Sequence, residues 1–205
     1  MEKEYYLLDG LDMTGPFTYA ELVQNGLDVH SQLSYSMNGN LKFASEMPEF
    51  IEYFKTKSIY FPTGDNLANF GVRSVAFIVD YFPLYIVLEL VAVKIGWITL
   101  PIDFTLDKPF PPSILYFNLG FSALFLIYRA IMEASPMKAT IGKRICSLVV
   151  VDINGGAPSL LSSLGRNLGV VMSIMLWVPF LTMLFNEHKQ NWYDSLAKTY
   201  VVKTT

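Results

Sequence analysis

Charge is scarce in this chain. Of 205 residues only 16% are Asp, Glu, Lys or Arg, while 52% are hydrophobic and 15% aromatic. That balance lies outside the range of ordinary soluble domains and leads us to expect a membrane protein. The net charge of −3, with no basic stripe to neutralise phosphates, gives no reason to expect nucleic acid as a partner. Cysteine is nearly absent: Cys146 stands alone, so no intrachain disulfide can form and the redox compartment stays open. Histidine is limited to His30 and His188, far apart in sequence. No Gly-x-Ser-x-Gly elbow or His-Glu-x-x-His motif occurs, and TIGKR lacks the earlier glycine of a phosphate loop. Neither a metal site nor a cofactor is expected, and the chain does not read as an enzyme. The start, MEKEYYLLDG, lacks a positive region followed by an apolar core, so insertion is expected to rely on internal segments.

Those segments are concentrated after Gly71. Residues 1–70 are rich in turn signals such as Asp9-Gly10, Asn25-Gly26 and Asn38-Gly39-Asn40. This places a soluble module over 1–55, a linker or interfacial segment over 56–70, and a membrane domain over 71–205. Three apolar stretches of bilayer length follow, at 74–93, 114–132 and 168–185. Pro83 and Pro179 mark a kink in the first and third. Among the basic residues, Lys138, Lys143, Arg144 and Arg166 follow the second stretch, whereas the loop before it holds only Lys108. The positive-inside rule therefore puts the second loop and the N-terminal module in the cytoplasm. The tail carries Lys189, Lys198 and Lys203, which favours a third segment that re-enters at Pro179 rather than crossing. SLVVVD (147–152) and TYVVK (199–203) both have strand composition. They can pair only if they share one side of the membrane.

Arg73, Asp80 seven residues on, ATIGKRICSLVVVD, the Arg166 after SLLSSLG, and KQNWYDSLAKTYVV together resemble the RDD family of small membrane proteins. The resemblance spans about residues 71–202. It implies an α-helical membrane domain of two or three transmembrane helices, in which Arg73 and Asp80 match the family arginine and first aspartate. Asp194 matches the second, with Asp152 as the other candidate. Trp192-Tyr193-Asp194 stands where Leu-His-Asp is usual, so any role of that histidine is missing here. Transport has been proposed for the family, whose function is unsettled.

The N-terminal sequence YYLLDGLDMTGPFTYAELVQNGLDVHSQLSYS through LKFASEMPEF resembles the GYF-like module joined to bacterial membrane domains, which implies a small α+β domain and a bacterial cytoplasmic membrane. Tyr6, Gly15, Pro16, Phe17, Tyr35 and Phe43 would then form a peptide-binding face, suited to a preformed polyproline helix. The bland reading is that Tyr5, Tyr6, Phe17, Tyr35 and Phe43 are merely the core of a small domain.

Within the membrane, Asp80 falls at the depth of Arg73, Arg129 and Arg166, and with Asp194 these define an expected polar cluster. Glu89, nine residues from Asp80, lies on the opposite helical face, while Asn118 and Arg129 share a face that could extend a polar track. Asp80 is either a buried lock between helices or a protonation site. Two functions follow: an accessory scaffold that tethers a protein partner through its cytoplasmic module, or an oligomeric carrier of a small solute, or of cations and protons through Asp80. The lipid bilayer is a partner in both, and a homo-oligomer is required by the second.

Overall fold

The structure, a computed structural model, describes residues 4–10, 12–37, 39–98, 111–176 and 189–204. Two compact units divide it, Met1–Phe61 with Asn154–Gly156, and Pro62–Ile153 with Ala157–Thr205.

The first unit is a small antiparallel sheet with short helices. Strands β1 (Tyr5–Asp9), β2 (Asp12–Phe17), β3 (Gln32–Ser34) and β4 (Lys42–Phe43) are arranged in the order β2-β1-β3-β4. Gly10 turns β1 into β2 at φ +66°, a left-handed conformation that glycine adopts without penalty. Thr18 starts α1 (Tyr19–Gln24) with a capping box, its hydroxyl accepting from the Glu21 amide while the Glu21 carboxylate accepts from the Thr18 amide. Two single 3-10 turns and α2 (Ile51–Thr56) complete the unit. Its core is Tyr5, Leu22, Leu33, Met47, Phe50 and Phe54, all buried.

The second unit is built on two long helices. Asn69 caps α3 (Phe70–Lys94) by accepting from the Val72 amide at 3.0 Å, and Pro112 opens α4 (Pro112–Ala134), where a missing amide hydrogen costs nothing. Both are long and apolar enough to cross a membrane by length and composition; at about 1.5 Å per residue they would extend roughly 35 Å. Helix α3 begins before the span expected from sequence because its first turn still holds polar Arg73, and α4 because Pro112 opens it. Phe77, Tyr81 and Tyr85 of α3 meet Phe117, Phe121 and Phe125 of α4 edge to face, with ring centroids 5.0–5.7 Å apart, a favoured aromatic geometry. A third helix, α6, runs Leu160–Leu176. The expected segment 168–185 falls partly on it; Pro179, His188 and the question of crossing or re-entry lie outside the described residues.

The sequence shows no repeat on inspection, yet the backbone holds one. Helix α5 (Ile141–Ile145), with N-cap Thr140, passes through left-handed Ser147 (φ 54°) into β5 (Leu148–Asp152). Helix α7 (Trp192–Leu196), with N-cap Asn191, passes through left-handed Lys198 (φ 51°) into β6 (Thr199–Lys203). The two strands pair antiparallel, Leu148 opposite Lys203 and Asp152 opposite Thr199, so the copies are related by a local two-fold. Leu67 bridges to Val202 along β6. Leu148, Val150 and Val201 bury their side chains with Ala68 and Ala76, which anchors the strand pair to the start of α3.

Candidate functional site

Each copy of this helix–strand repeat presents its third helical residue to the interior. In α7 that residue is Asp194, and its orientation is set locally: the Asn191 amide donates to Asp194 Oδ2 at 3.2 Å in a capping box. In α5 it is Lys143, buried, whose amide donates to the N-cap Thr140 hydroxyl.

Asp194 is fully buried and joins two helices. Arg73 of α3 donates from Nη1 to Oδ2 at 2.6 Å, and Arg166 of α6 donates from Nε to Oδ1 at 2.6 Å. Arg73 is further fixed by the carbonyls of Ala68 and Lys189, at 3.2 and 2.8 Å. Burial alone would raise the Asp194 carboxyl pKa, but Arg166 and Arg73 outweigh it and hold the group below the usual carboxylate range.

The same Arg166 reaches a second acid. Its Nη1 donates to Glu133 Oε2 at 2.6 Å, and Asn167 Nδ2 donates to the same oxygen at 2.8 Å. Lys143 Nζ binds Glu133 Oε1, and Arg129, one turn earlier on α4, approaches it at 3.6 Å while donating from Nε to Asn167 Oδ1 at 2.7 Å. The Arg129 guanidinium also lies over the rings of Phe77 and Phe125, 5.6 and 5.5 Å from their centroids. Arg166 thus bridges Glu133 and Asp194, and through them α4, α5, α6, α7 and α3 share one buried ionic network.

Asp80 stands apart from it. No arginine pairs with Asp80 among the described residues; its carboxylate accepts from Tyr128 OH at 3.1 Å, from the Thr140 hydroxyl, and from the Gly142 amide at 2.7 Å. The expectation of an arginine cluster centred on Asp80 is therefore corrected: Arg73, Arg129 and Arg166 do converge, but on Glu133 and Asp194. The physical reason is the approach of α5. At Gly142 a Cβ would collide with the Ala76 carbonyl and the Asp80 carboxyl, so the glycine lets the backbone amide itself come up to the acid. An apolar groove of about 640 Å³, lined by Val79, Pro83, Leu84, Val87 and Leu124, runs past Asp80 and Tyr128. Asn118 does not extend the Arg129 network; it donates to the Ile114 carbonyl at 2.8 Å and accepts from Tyr85 OH at 3.4 Å. Glu89 is only half-buried on α3, and Asp152 ends β5 opposite Thr199.

Sequence reasoning missed Glu133, Lys143 and Asn167. A signal existed, since Glu133 follows Arg129 by four residues, the spacing of a helical ion pair, but it lies one residue beyond the end drawn for the second apolar segment.

In the N-terminal unit, Tyr5 is in the core, while Tyr35 is 48% exposed and Phe43 and Tyr19 each 39%. Tyr35, Tyr5, Phe50 and Tyr19 form a continuous ring ladder, with successive centroids at 5.7, 5.3 and 5.2 Å. Tyr5 and Tyr35 both donate to Glu49 Oε1, at 3.1 and 2.9 Å. Phe43 lies apart on β4, edge-on to His30 at 6.3 Å. Gly15 and Pro16 are exposed on β2, Tyr6 and Phe17 half-buried; a Cβ on Gly15 would come within 2.8 Å of the Tyr5 carbonyl. Among the described residues no group of three or more His, Cys, Asp or Glu could hold a metal ion.

Two helices apolar enough to cross a membrane, tied by a buried network of Arg73, Arg129, Lys143 and Arg166 on Glu133 and Asp194, fit a membrane protein. Residues 67–198 match the RDD family, and the chain belongs to it. It is similar to the uncharacterized protein YxaI of Bacillus subtilis (strain 168), with 28% identity over 148 residues that make up 66% of this chain and 96% of the relative. No solved structure matches.

Proposed function

We propose that this protein is a multi-pass adaptor of the bacterial cytoplasmic membrane, whose cytoplasmic N-terminal GYF-like module captures a segment of a protein partner. The observation that carries the reading is the aromatic ladder of the module. Two of its rings, Tyr5 and Phe50, are core residues, and its outer rings, Tyr35 and Tyr19, are left open to solvent. Rigid aromatic faces exposed at the ends of a buried stack suit an extended, proline-rich segment, which loses little entropy on binding. The membrane domain fits an anchor, because its buried acids among the described residues are used internally: Glu133 and Asp194 are saturated by cations, and Asp80 is tied to α4 and α5 by hydroxyl and amide donors. Such a lock specifies helix register more than it adds stability.

The competing carrier reading places exchange at Asp80 and requires a homo-oligomer. Asp80 borders an apolar groove rather than a polar track, and this favours the adaptor. Extraction in mild detergent separates the two. A membrane or cytoplasmic protein recovered in fixed stoichiometry supports the adaptor, whereas a homo-oligomer alone supports the carrier. The adaptor reading requires neither catalysis nor a cofactor.

A further inference from the structure

The buried network does not balance its charges. Arg73, Arg129, Lys143 and Arg166 face only Glu133 and Asp194, which leaves two positive charges in excess among the described residues. Arginine does not surrender its proton, and unpaired charge in a desolvated interior is costly. The surplus is not spread evenly. A narrow cavity of about 30 Å³ is lined by all four cations together with Tyr193 and Asn191, its remaining walls being largely apolar, and neither carboxylate lines it. This space exceeds the roughly 10–15 Å³ needed for one water, and it is too small for an organic acid. We propose that the cavity is a binding site for one small monovalent inorganic anion of the halide class, chloride in the first instance.

Four cationic side chains line this space, each already paired with Glu133 or Asp194, and the charge they carry beyond those two acids makes an anion the occupant that compensates the surplus. Lys143 gives the site a second property. Glu133 and Arg129 face it from α4 and Arg166 from α6, while Arg73 of α3 shares the cavity wall. Burial, then Arg166 and Arg129, push the Lys143 ammonium down to about 7 against the opposing pull of Glu133. Loss of the Lys143 proton removes one surplus charge without any anion, so proton and anion are bound together.

The test uses the full chain in detergent micelles. Thermal unfolding is followed in sodium chloride and in sodium gluconate at equal ionic strength, at pH 6 and pH 8.5, alongside ³⁵Cl NMR line width. Chloride should raise Tm saturably, as a ligand of the folded state does, gluconate should not, and the apparent chloride affinity should fall at least fivefold at pH 8.5. Excess ³⁵Cl broadening should accompany the effect. Lys143→Met should weaken chloride binding about tenfold and remove its pH dependence; if that variant does not fold, the wild-type comparison decides alone. Equal Tm in the two salts with no excess broadening would overturn the proposal and leave a cavity that holds water. A chloride effect of the same size at both pH values, and retained in Lys143→Met, would also overturn it by placing the anion elsewhere.

Discussion

Arg73 and Asp194 are 121 residues apart in the chain, and their side chains meet at 2.6 Å. The contact joins the first apolar helix to the short helix before the last strand, so it closes the membrane domain from end to end. Asp194→Asn removes the charge while keeping the shape, and leaves Arg73 and Arg166 without their shared acid. Removing one partner of a buried pair costs about 3–5 kcal/mol. Detergent-solubilised Asp194→Asn should therefore lose most of its thermal stability. Arg73→Lys, which cannot bind Asp194 while also reaching two carbonyls, should be intermediate.

Asp80 should respond differently, because its partners are neutral. Asp80→Asn keeps the oxygen that accepts from Tyr128 and the Gly142 amide and turns its NH2 towards the Thr140 hydroxyl, so the cost is the loss of hydrogen bonds to a charged acceptor, about 1–3 kcal/mol. A thermal-shift comparison should rank it milder than Asp194→Asn, and Glu89→Gln milder still. Gly142→Ala should be at least as damaging as Asp80→Asn, since α5 must then withdraw from α3. If Asp80→Asn proved the most damaging of the set, the distinction between the two sites would be wrong.

The adaptor reading makes a prediction at the module surface. Full-length protein titrated with proline-rich peptides should show saturable binding, weakened at least fivefold by Tyr35→Ala or Tyr19→Ala and little changed by the edge substitution Leu41→Ser. Binding that ignores both tyrosines would leave the ladder a structural feature only.

Stability should climb with pH above neutrality. Lys143 has an ordinary pKa of 10.5 and is held at about 7 in the fold; below pH 7 folding forces a charged lysine into a cationic interior, and from 7 to 10.5 the unfolded chain binds the extra proton, so stability rises. Tyr193 works the other way at higher pH. Burial first, then Asp194, push it up to about 12 from 10, so the unfolded chain ionises earlier and stability falls from pH 10. Asp194, held below its ordinary 3.8, contributes stability above that value, lost as pH falls through its folded pKa. Urea midpoints in chloride-free buffer should peak near pH 10, and Lys143→Met should flatten the rise between 7 and 10.

Topology is open to a direct measurement. With cytoplasmic ends, cysteines introduced at Ser195 or Thr204 in a Cys146→Ser background should resist impermeant thiol reagents in intact cells. Ready labelling would place the tail outside and require a third crossing.

The apolar helices at 70–94 and 112–134, the polar N-terminal region and the strand character of SLVVVD and TYVVK were legible because each is a local property: hydropathy over a bilayer length, turn chemistry, β-branched composition. Arg73, Arg129, Arg166 and Asp194 could be named as a cluster because charge in an apolar domain must find a partner. Which acid each arginine would find could not be read. Asp80 falls at the depth of Arg73, Arg129 and Arg166, but α5 packs on α3 through Gly142, and its backbone amide with Thr140 fills the position beside Asp80 that an arginine would have taken. Glu133 became a centre only because α6 brings Arg166 and Asn167 to it and α5 brings Lys143. The repeat of helix, left-handed residue and strand was invisible because its copies share conformation rather than residues: Thr140 and Asn191 cap alike, while Lys143 and Asp194 in equivalent places carry opposite charge. Sequence determined which segments prefer an apolar environment and which charges must be compensated inside it. Tertiary structure alone decided the pairing, because an ion pair forms between groups that packing brings together, and the elements that meet here lie from 10 to 121 residues apart in the chain.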